Sequence, residues 1–338
     1  MNQQSRLAII SIIVIIPLAA FYVLNQESKP FSSNPQDSKL QVISSFYPLY
    51  EFSKSIGQDK VEVSLLVPMG IEPHDWEPTI QDVQKIQKSD LIIINGIGFE
   101  EWVHDLEEMG YAGTIVDTSN GIQIMHNEKF ETDEHDEHDE HDEHDEHDEH
   151  DEHDEHDERD ENDKHDKHNH DENDPHIWLD PTLVKIQVKN IADSFSKKDP
   201  VNENFYQKNA ENYIQELDEL DSKIKNELQY CKKDFIAFHN AFSYFSEQYG
   251  LNQYTIINSL QPHSEPTAKT LESVIKTAQN LNIQIIFSEE TADPRTSKVI
   301  ADELGGKVLT LSPIEIGNDL SYIERMTQNL NNLKEALC

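Results

Sequence analysis

The sequence predicts an α/β protein of two lobes, each with a mainly parallel sheet flanked by helices, joined by one long rigid helix. Three observations carry that prediction. Apolar, β-rich runs alternate with helix-spaced segments on both sides of the midpoint, which is the pattern of parallel sheets with covering helices. Between the two series lies Asn204–Leu228, with Phe205, Ala210, Tyr213, Leu217, Leu220, Ile224 and Leu228 at helical spacing and no Gly or Pro inside. A repetitive acidic run, Glu131–Asp174, interrupts the first series and has no apolar side chain with which to join a core.

Taken in order, the chain opens with one charged residue, Arg6, and an unbroken low-polarity stretch, Leu7–Leu24. Its eighteen residues approach the length of a bilayer-spanning helix. Residues 1–26 therefore read as a membrane anchor or as a cleavable signal. For cleavage, Ala19 and Ala20 are available, but Leu18 occupies a position where a small residue is expected. Arg6 and the amino terminus favour an inside orientation, which places the remainder outside the cell, tethered or released. No cysteine follows for lipid attachment, and the polar residues 27–38 read as a flexible stalk.

The first lobe is assigned to residues 39–203, including a His/Asp/Glu-rich loop over 126–173. Lys39–Tyr47 is an apolar run ended by Pro48, Leu49–Ile56 has helical spacing, and Val61–Pro68 alternates before a turn containing Gly70. Thr79–Lys88 begins with a good N-cap, and Leu91–Asn95 is a buried strand ending at Gly96. Pro181–Phe195 reads as a helix. The linking helix is 204–228, a rod of roughly 37 Å at 1.5 Å per residue. The second lobe, 229–338, restarts the alternation. Strands are expected at Phe235–Phe238, Tyr254–Ile257, Gln284–Phe287 and Val308–Leu311, with helices at Ala241–Tyr249, Lys269–Asn280, Ser297–Leu304 and Tyr322–Leu337. Two cysteines occur, Cys231 and Cys338, either as a disulfide tying the C-terminus to the start of a strand or as two buried thiols.

Charge narrows the function. In Glu131–Asp174 the unit His-Asp-Glu repeats eight times between His135 and Glu158, and eleven of the seventeen histidines lie in the run. It carries 23 of the chain's 39 net negative charges. Neutral imidazole ligates zinc, nickel and copper, and the carboxylates lower the potential a cation meets, so the run offers many weak, interchangeable metal sites. A solvated acidic linker would need no histidine. The rest of the chain is also acidic, which argues against a nucleic-acid partner, since that would require a basic face.

Four further residues lie at strand ends or in the loops beyond them, where open α/β sheets bind ligands. His74 lies in EPHDWEPT (Glu72–Thr79), His176 in DPHIWLDP (Asp174–Pro181), His239 at the end of Phe235–Phe238, and Glu289 in FSEET (Phe287–Thr291). Each has a structural alternative: a histidine beside Trp76 or Trp178 can be a hydrogen-bonded core residue, and Glu289 can cap a turn. Brought together, three imidazoles and a carboxylate would make a closed four-coordinate zinc site.

The motifs SSFYPLY (Ser44–Tyr50), EPHDWEPT, NGIGFEEW (Asn95–Trp102), DPHIWLDP, HNAFSYFSEQYGL (His239–Leu251) and FSEETADPR (Phe287–Arg295) resemble, in order, those of the metal-specific substrate-binding proteins of ABC transporters. They span nearly everything from Lys39 onward except the acidic run. The resemblance implies two α/β lobes joined by a long helix, with the metal held between them by His74, His176, His239 and Glu289. Some members use a later acidic residue and others use water, so Glu290 and Asp293 remain rivals for the fourth place. Manganese binders of the family commonly have an acid where this chain has His239, and an imidazole there favours Zn2+ over Mn2+. The implied function is an extracytoplasmic, non-enzymatic, monomeric zinc receptor serving an ABC permease and its ATPase. A manganese or other divalent-metal binding protein of the same family, or a surface metal buffer or adhesin, is the alternative. A zinc hydrolase would need a general base beside the histidines, and the sequence shows neither that nor an HExxH helix.

Overall fold

Two four-stranded sheets with the same strand order form the frame, and every site residue leaves the carboxyl end of one of them or a loop beyond it. The computed structural model describes residues 39–125, 173–259 and 266–338. The apolar N-terminus, the stalk and nearly all of the histidine run lie outside the described residues. The described residues from Gln41 to Cys338 cluster as one compact unit.

The first sheet contains β1 (Leu40–Ser44), β2 (Val61–Leu65), β3 (Leu91–Ile94) and β4 (Thr114–Asp117), in the order β2-β1-β3-β4. The β1–β3 and β3–β4 ladders are parallel, in the registers Val42↔Leu91 and Ile92↔Ile115. Strand β3 is buried on both faces, as a central parallel strand must be, and its four residues are all apolar. Helices α1 (Tyr47–Gly57), α2 (Ile80–Ile86) and α3 (Val103–Glu108) connect these strands. Pro48 was expected to end an extended run at Tyr47; instead the strand stops at Ser44 and the proline sits in the first turn of α1, where its missing N–H costs nothing. Helix α2 starts at a full capping box, in which Thr79 accepts from Asp82 N–H and the Asp82 carboxylate accepts from Thr79 N–H.

Helix α4 (Pro181–Lys198), N-capped by Asp180, runs antiparallel in sequence order to α5 (Glu203–Leu228) after a single turn at Pro200–Asn202. The 26 residues of α5 span about 39 Å at 1.5 Å per residue. It packs against α1, α4 and, through its later turns, the C-terminal helix, with Tyr213, Leu217, Leu220 and Ile224 buried on one face. The one long helix expected between the two α/β series is therefore present.

The second sheet repeats the first. Strands β5 (Asp234–Ala237), β6 (Asn252–Thr255), β7 (Ile285–Ser288) and β8 (Lys307–Thr310) are ordered β6-β5-β7-β8, with parallel ladders at β5–β6, β5–β7 and β7–β8. Helices α6 (Ser243–Tyr249), α7 (Ala268–Leu281), α8 (Pro294–Glu303) and α9 (Tyr322–Leu337) complete the fold. Its core joins Ile236, Phe238, Ile256, Ile286 and Ile300. Cys231 and Cys338 form a disulfide with Cα atoms 4.7 Å apart, tying the end of α9 to the chain entering β5. Among the described residues no helix is long and apolar enough to cross a membrane.

Candidate metal centre

Three imidazoles and one carboxylate converge at the carboxyl ends of the two sheets. His74 lies on the loop after β2, and His176 precedes the short turn Ile177–Leu179 that leads into α4. His239 lies two residues beyond β5. The fourth group is Glu315, on the loop after β8, and the four donor atoms all lie within 4.8 Å of one another. Glu315 Oε1 is 3.3 Å from His74 Nε2, 3.3 Å from His176 Nε2 and 3.7 Å from His239 Nε2, while His176 Nε2 and His239 Nε2 are 3.4 Å apart. A tetrahedral zinc with bonds of about 2.0–2.1 Å places its donors roughly 3.3 Å from one another. These four separations, 3.3 to 3.7 Å, stand near such edges.

The structure thus brings together His74, His176 and His239 as expected, but Glu289 does not join them. Both Glu289 oxygens lie 2.7 Å from Nδ1 of His239, on the side of the ring facing away from the other imidazoles, and Oε1 also accepts from the His239 backbone N–H. The reason is positional: Glu289 follows β7, the strand beside β5, so it meets His239 from its own sheet. Glu290 instead pairs with Arg325, and Asp293 caps α8 by accepting from Arg295 N–H. Glu315, which the sequence reading did not single out, lies in SPIEIG, a loop after a short strand with no helix or periodicity to mark it. Its one signal is a lone acid between Ile314 and Ile316 past the end of a strand.

His176 has the same kind of support. Its Nδ1 lies 2.7 Å from Asp174 Oδ1, which also accepts from the His176 backbone N–H. A carboxylate on Nδ1 fixes the tautomer with the lone pair on Nε2 and turns that nitrogen inward. Asn95 steadies the same loop by donating to Pro175 C=O, and its own amide is held by Gln187. Ring packing limits the remaining freedom: Phe99 meets His74 edge-on at 4.9 Å, and Trp178 packs on His176 at 5.1 Å. The chain at Gly96 has φ +85°, and a side chain there would collide with Asp117, so the NGIG turn beneath Phe99 needs glycine at this position.

A model of the family described as zinc-uptake complex component A, periplasmic, matches residues 42–336. The chain belongs to that family. The high-affinity zinc uptake system protein ZnuA of Bacillus subtilis is 38% identical over 315 residues, covering 90% of each chain. The zinc-binding protein AdcA of Streptococcus pyogenes is 35% identical over 317 residues, and the match spans 88% of this chain but 56% of AdcA. Among solved structures, the Zn(II)-bound ZnuA-like domain of Streptococcus pneumoniae AdcA superposes with a TM-score of 0.69 at 28% identity, covering 88% of this chain and 99% of that one. The two-sheet α/β fold is the fold of this zinc-uptake family, whose members are solute-binding components rather than known enzymes.

Electrostatics separate the imidazoles of this family member. Burial would raise the Glu315 pKa, but the three surrounding imidazoles outweigh it and hold the carboxyl well below its ordinary value. For His239, burial opposes the proton, yet Glu289 on Nδ1 and Glu315 beyond Nε2 together push the pKa up to about 10. His176 is raised in the same way, against burial, by Asp174 and Glu315. His74 goes the other way, because burial outweighs the attraction of Glu315 and two neighbouring imidazoles repel its proton. Without metal, His239 therefore holds a proton that a cation must displace and His176 is biased toward holding one, whereas His74 is biased toward its neutral form. On its outer side His74 borders a cleft of about 610 Å³, lined by Trp76 and Trp102 and flanked by Asp75, Glu77, Glu101 and Asp105.

Proposed function

We propose that the chain captures Zn2+ outside the cytoplasm, holds it between Nε2 of His74, His176 and His239 and a carboxylate oxygen of Glu315, and hands it to an ABC permease with its ATPase. The observation that carries the reading is the set of donor separations, 3.3 to 3.7 Å from Glu315 Oε1 to the three Nε2 atoms, close to the edges of a zinc tetrahedron. Three nitrogens and one oxygen suit zinc better than manganese, which prefers oxygen donors. The ligands are closed in by protein and the cargo is the bound ion itself, so the reading assigns no catalytic step. Glu289 and Asp174 act behind the ligands, each holding one imidazole by its Nδ1.

Residues 39–203 and 229–338 serve as the two lobes and 204–228 as the link, a division that follows the two sheets and the helix between them. The apolar stretch Leu7–Leu24 tethers the chain at the membrane or directs its export, and the histidine run raises the concentration of metal beside the cleft; both assignments rest on composition. The test is metal competition on the chain lacking residues 131–173, with His239→Ala as the control. Zinc should be retained against excess manganese, and the control should lose it. A strong preference for manganese would overturn the zinc assignment. In the same experiment, full-length chain should load faster than the shortened one from scarce zinc, and equal loading would remove the role given to the run.

The proton inventory gives a separate expectation. At pH 7 zinc binding should release between one and two protons, read by calorimetry in buffers of different ionisation enthalpy. The sign follows from the raised pKa values: His239 stabilises the metal-free fold fully below about pH 6.5, and that contribution fades as pH rises toward about 10. Zinc affinity should therefore climb with pH across this window. An affinity independent of pH between 6.5 and 9 would contradict the assignment of protons to His176 and His239.

A further inference from the structure

We infer that Arg325, buried in the first turn of α9, is a positioning residue for the metal centre that acts through Glu315. The inference rests on the ligand set proposed above. The Arg325 side chain is 2% exposed, and its guanidinium donates to Ser312 Oγ at 2.6 Å, to Glu290 Oε1 at 2.8 Å and to the Ile316 carbonyl. Ser312 and Ile316 bracket Glu315, so one planar cation grips the ligand loop on both sides. Glu290 extends the grip to the loop of Glu289, which supports His239. The same guanidinium lies 5.5 Å from the ring centre of Tyr47 on α1, and so also contacts the first series of elements.

The loop needs such a grip because its backbone is strained where it turns toward the site. Ile314, immediately before Glu315, has φ +61°, a conformation that β-branched residues rarely adopt. Strain of this kind persists only where the surroundings over-determine it. Here the Ile314 N–H donates to Ser312 Oγ at 3.1 Å, the hydroxyl that Arg325 fixes, and Asn329 on the same face of α9 exchanges two hydrogen bonds with the Ser312 backbone. Buried Arg325 otherwise has no place in metal binding, since it touches none of the three imidazoles. Lysine at this position would keep the charge but lose the planar fork that reaches three acceptors at once.

The test is a double-mutant cycle on the full chain, reading Zn2+ affinity against a competing chelator tight enough to leave the weaker sites of the histidine run empty. Arg325→Met should weaken cleft binding about tenfold in the native background, within the range of about 10- to 100-fold seen when outer-shell partners are removed. In the Glu315→Gln background it should cause no further loss, because its route of action is already gone. Ser312→Ala, which removes a single hydroxyl, should show the same non-additivity with a smaller loss and provides the reading if Arg325→Met does not fold. Arg325→Lys should recover part of the affinity. Losses that add in full in the Glu315→Gln background, or no loss from either variant, would overturn the inference and leave Arg325 as scaffold alone. A native chain that binds no zinc, or a Glu315→Gln variant that binds normally, would instead remove the ligand set, and the inference with it.

Discussion

Glu315→Gln should weaken zinc binding in the cleft by about a hundredfold, and Glu289→Gln by about tenfold. The first change keeps the shape of the side chain but removes the anionic donor that stands at 3.3 to 3.7 Å from all three Nε2 atoms. Structural zinc sites of four ligands bind with about 10–16 kcal/mol, so one donor accounts for roughly 3 kcal/mol, or about two decades of affinity. The second change leaves every ligand in place and weakens only the hydrogen bond on Nδ1 of His239, for which losses of about 10- to 100-fold are typical. Chelator competition at one fixed pH compares the two. A larger loss at Glu289 than at Glu315 would return Glu289 to the ligand position that the family resemblance gave it.

Removing the disulfide should have the largest effect on stability. Cys231 and Cys338 are separated by 107 residues, and cross-linking a loop of that length restricts the unfolded chain by about 4–5 kcal/mol in the chain-entropy model. Cys338→Ser should therefore lower the urea midpoint of the metal-free protein by an amount equivalent to about 3–5 kcal/mol, since measured values fall at or below the model. The native bond also holds the last turn of α9 beside the chain entering β5, where Lys232 N–H donates to the Leu337 carbonyl. Reduction of the native protein should reproduce the loss. A change below about 1 kcal/mol would mean that the unfolded chain is constrained by something else.

Much of the frame could be read from the chain alone because the signals were local. Tyr322–Leu337 emerged with its observed bounds: a serine cap, a glutamate three residues on and an apolar face leave little choice. Helix α5 was equally plain, with no Gly or Pro to interrupt it. Two short elements, α3 and β4, left almost no trace, since Thr114–Asp117 is a four-residue edge strand whose partner decides its conformation. The three histidines stood in dense aromatic and proline contexts that the family motifs share. The carboxylate was harder. Glu289 sat where a strand end and a family motif coincided, whereas Glu315 owes its place to a strained turn at Ile314 and to the Arg325 guanidinium, which reaches that turn through Ser312, thirteen residues earlier in the sequence. Neither leaves a periodic mark in the sequence.

The pairing of His176 with Asp174 and of His239 with Glu289 has a consequence for the empty protein. Each buried carboxylate favours the protonated form of its imidazole, so an arriving divalent ion trades its charge against as many as two protons. At the two-proton limit the exchange is electroneutral inside the fold. Protons on His176 and His239 then offset part of the negative charge of Glu315, Asp174 and Glu289 when no ion is bound. Protons and metal compete for the same nitrogens, so a fall in pH favours unloading of the site.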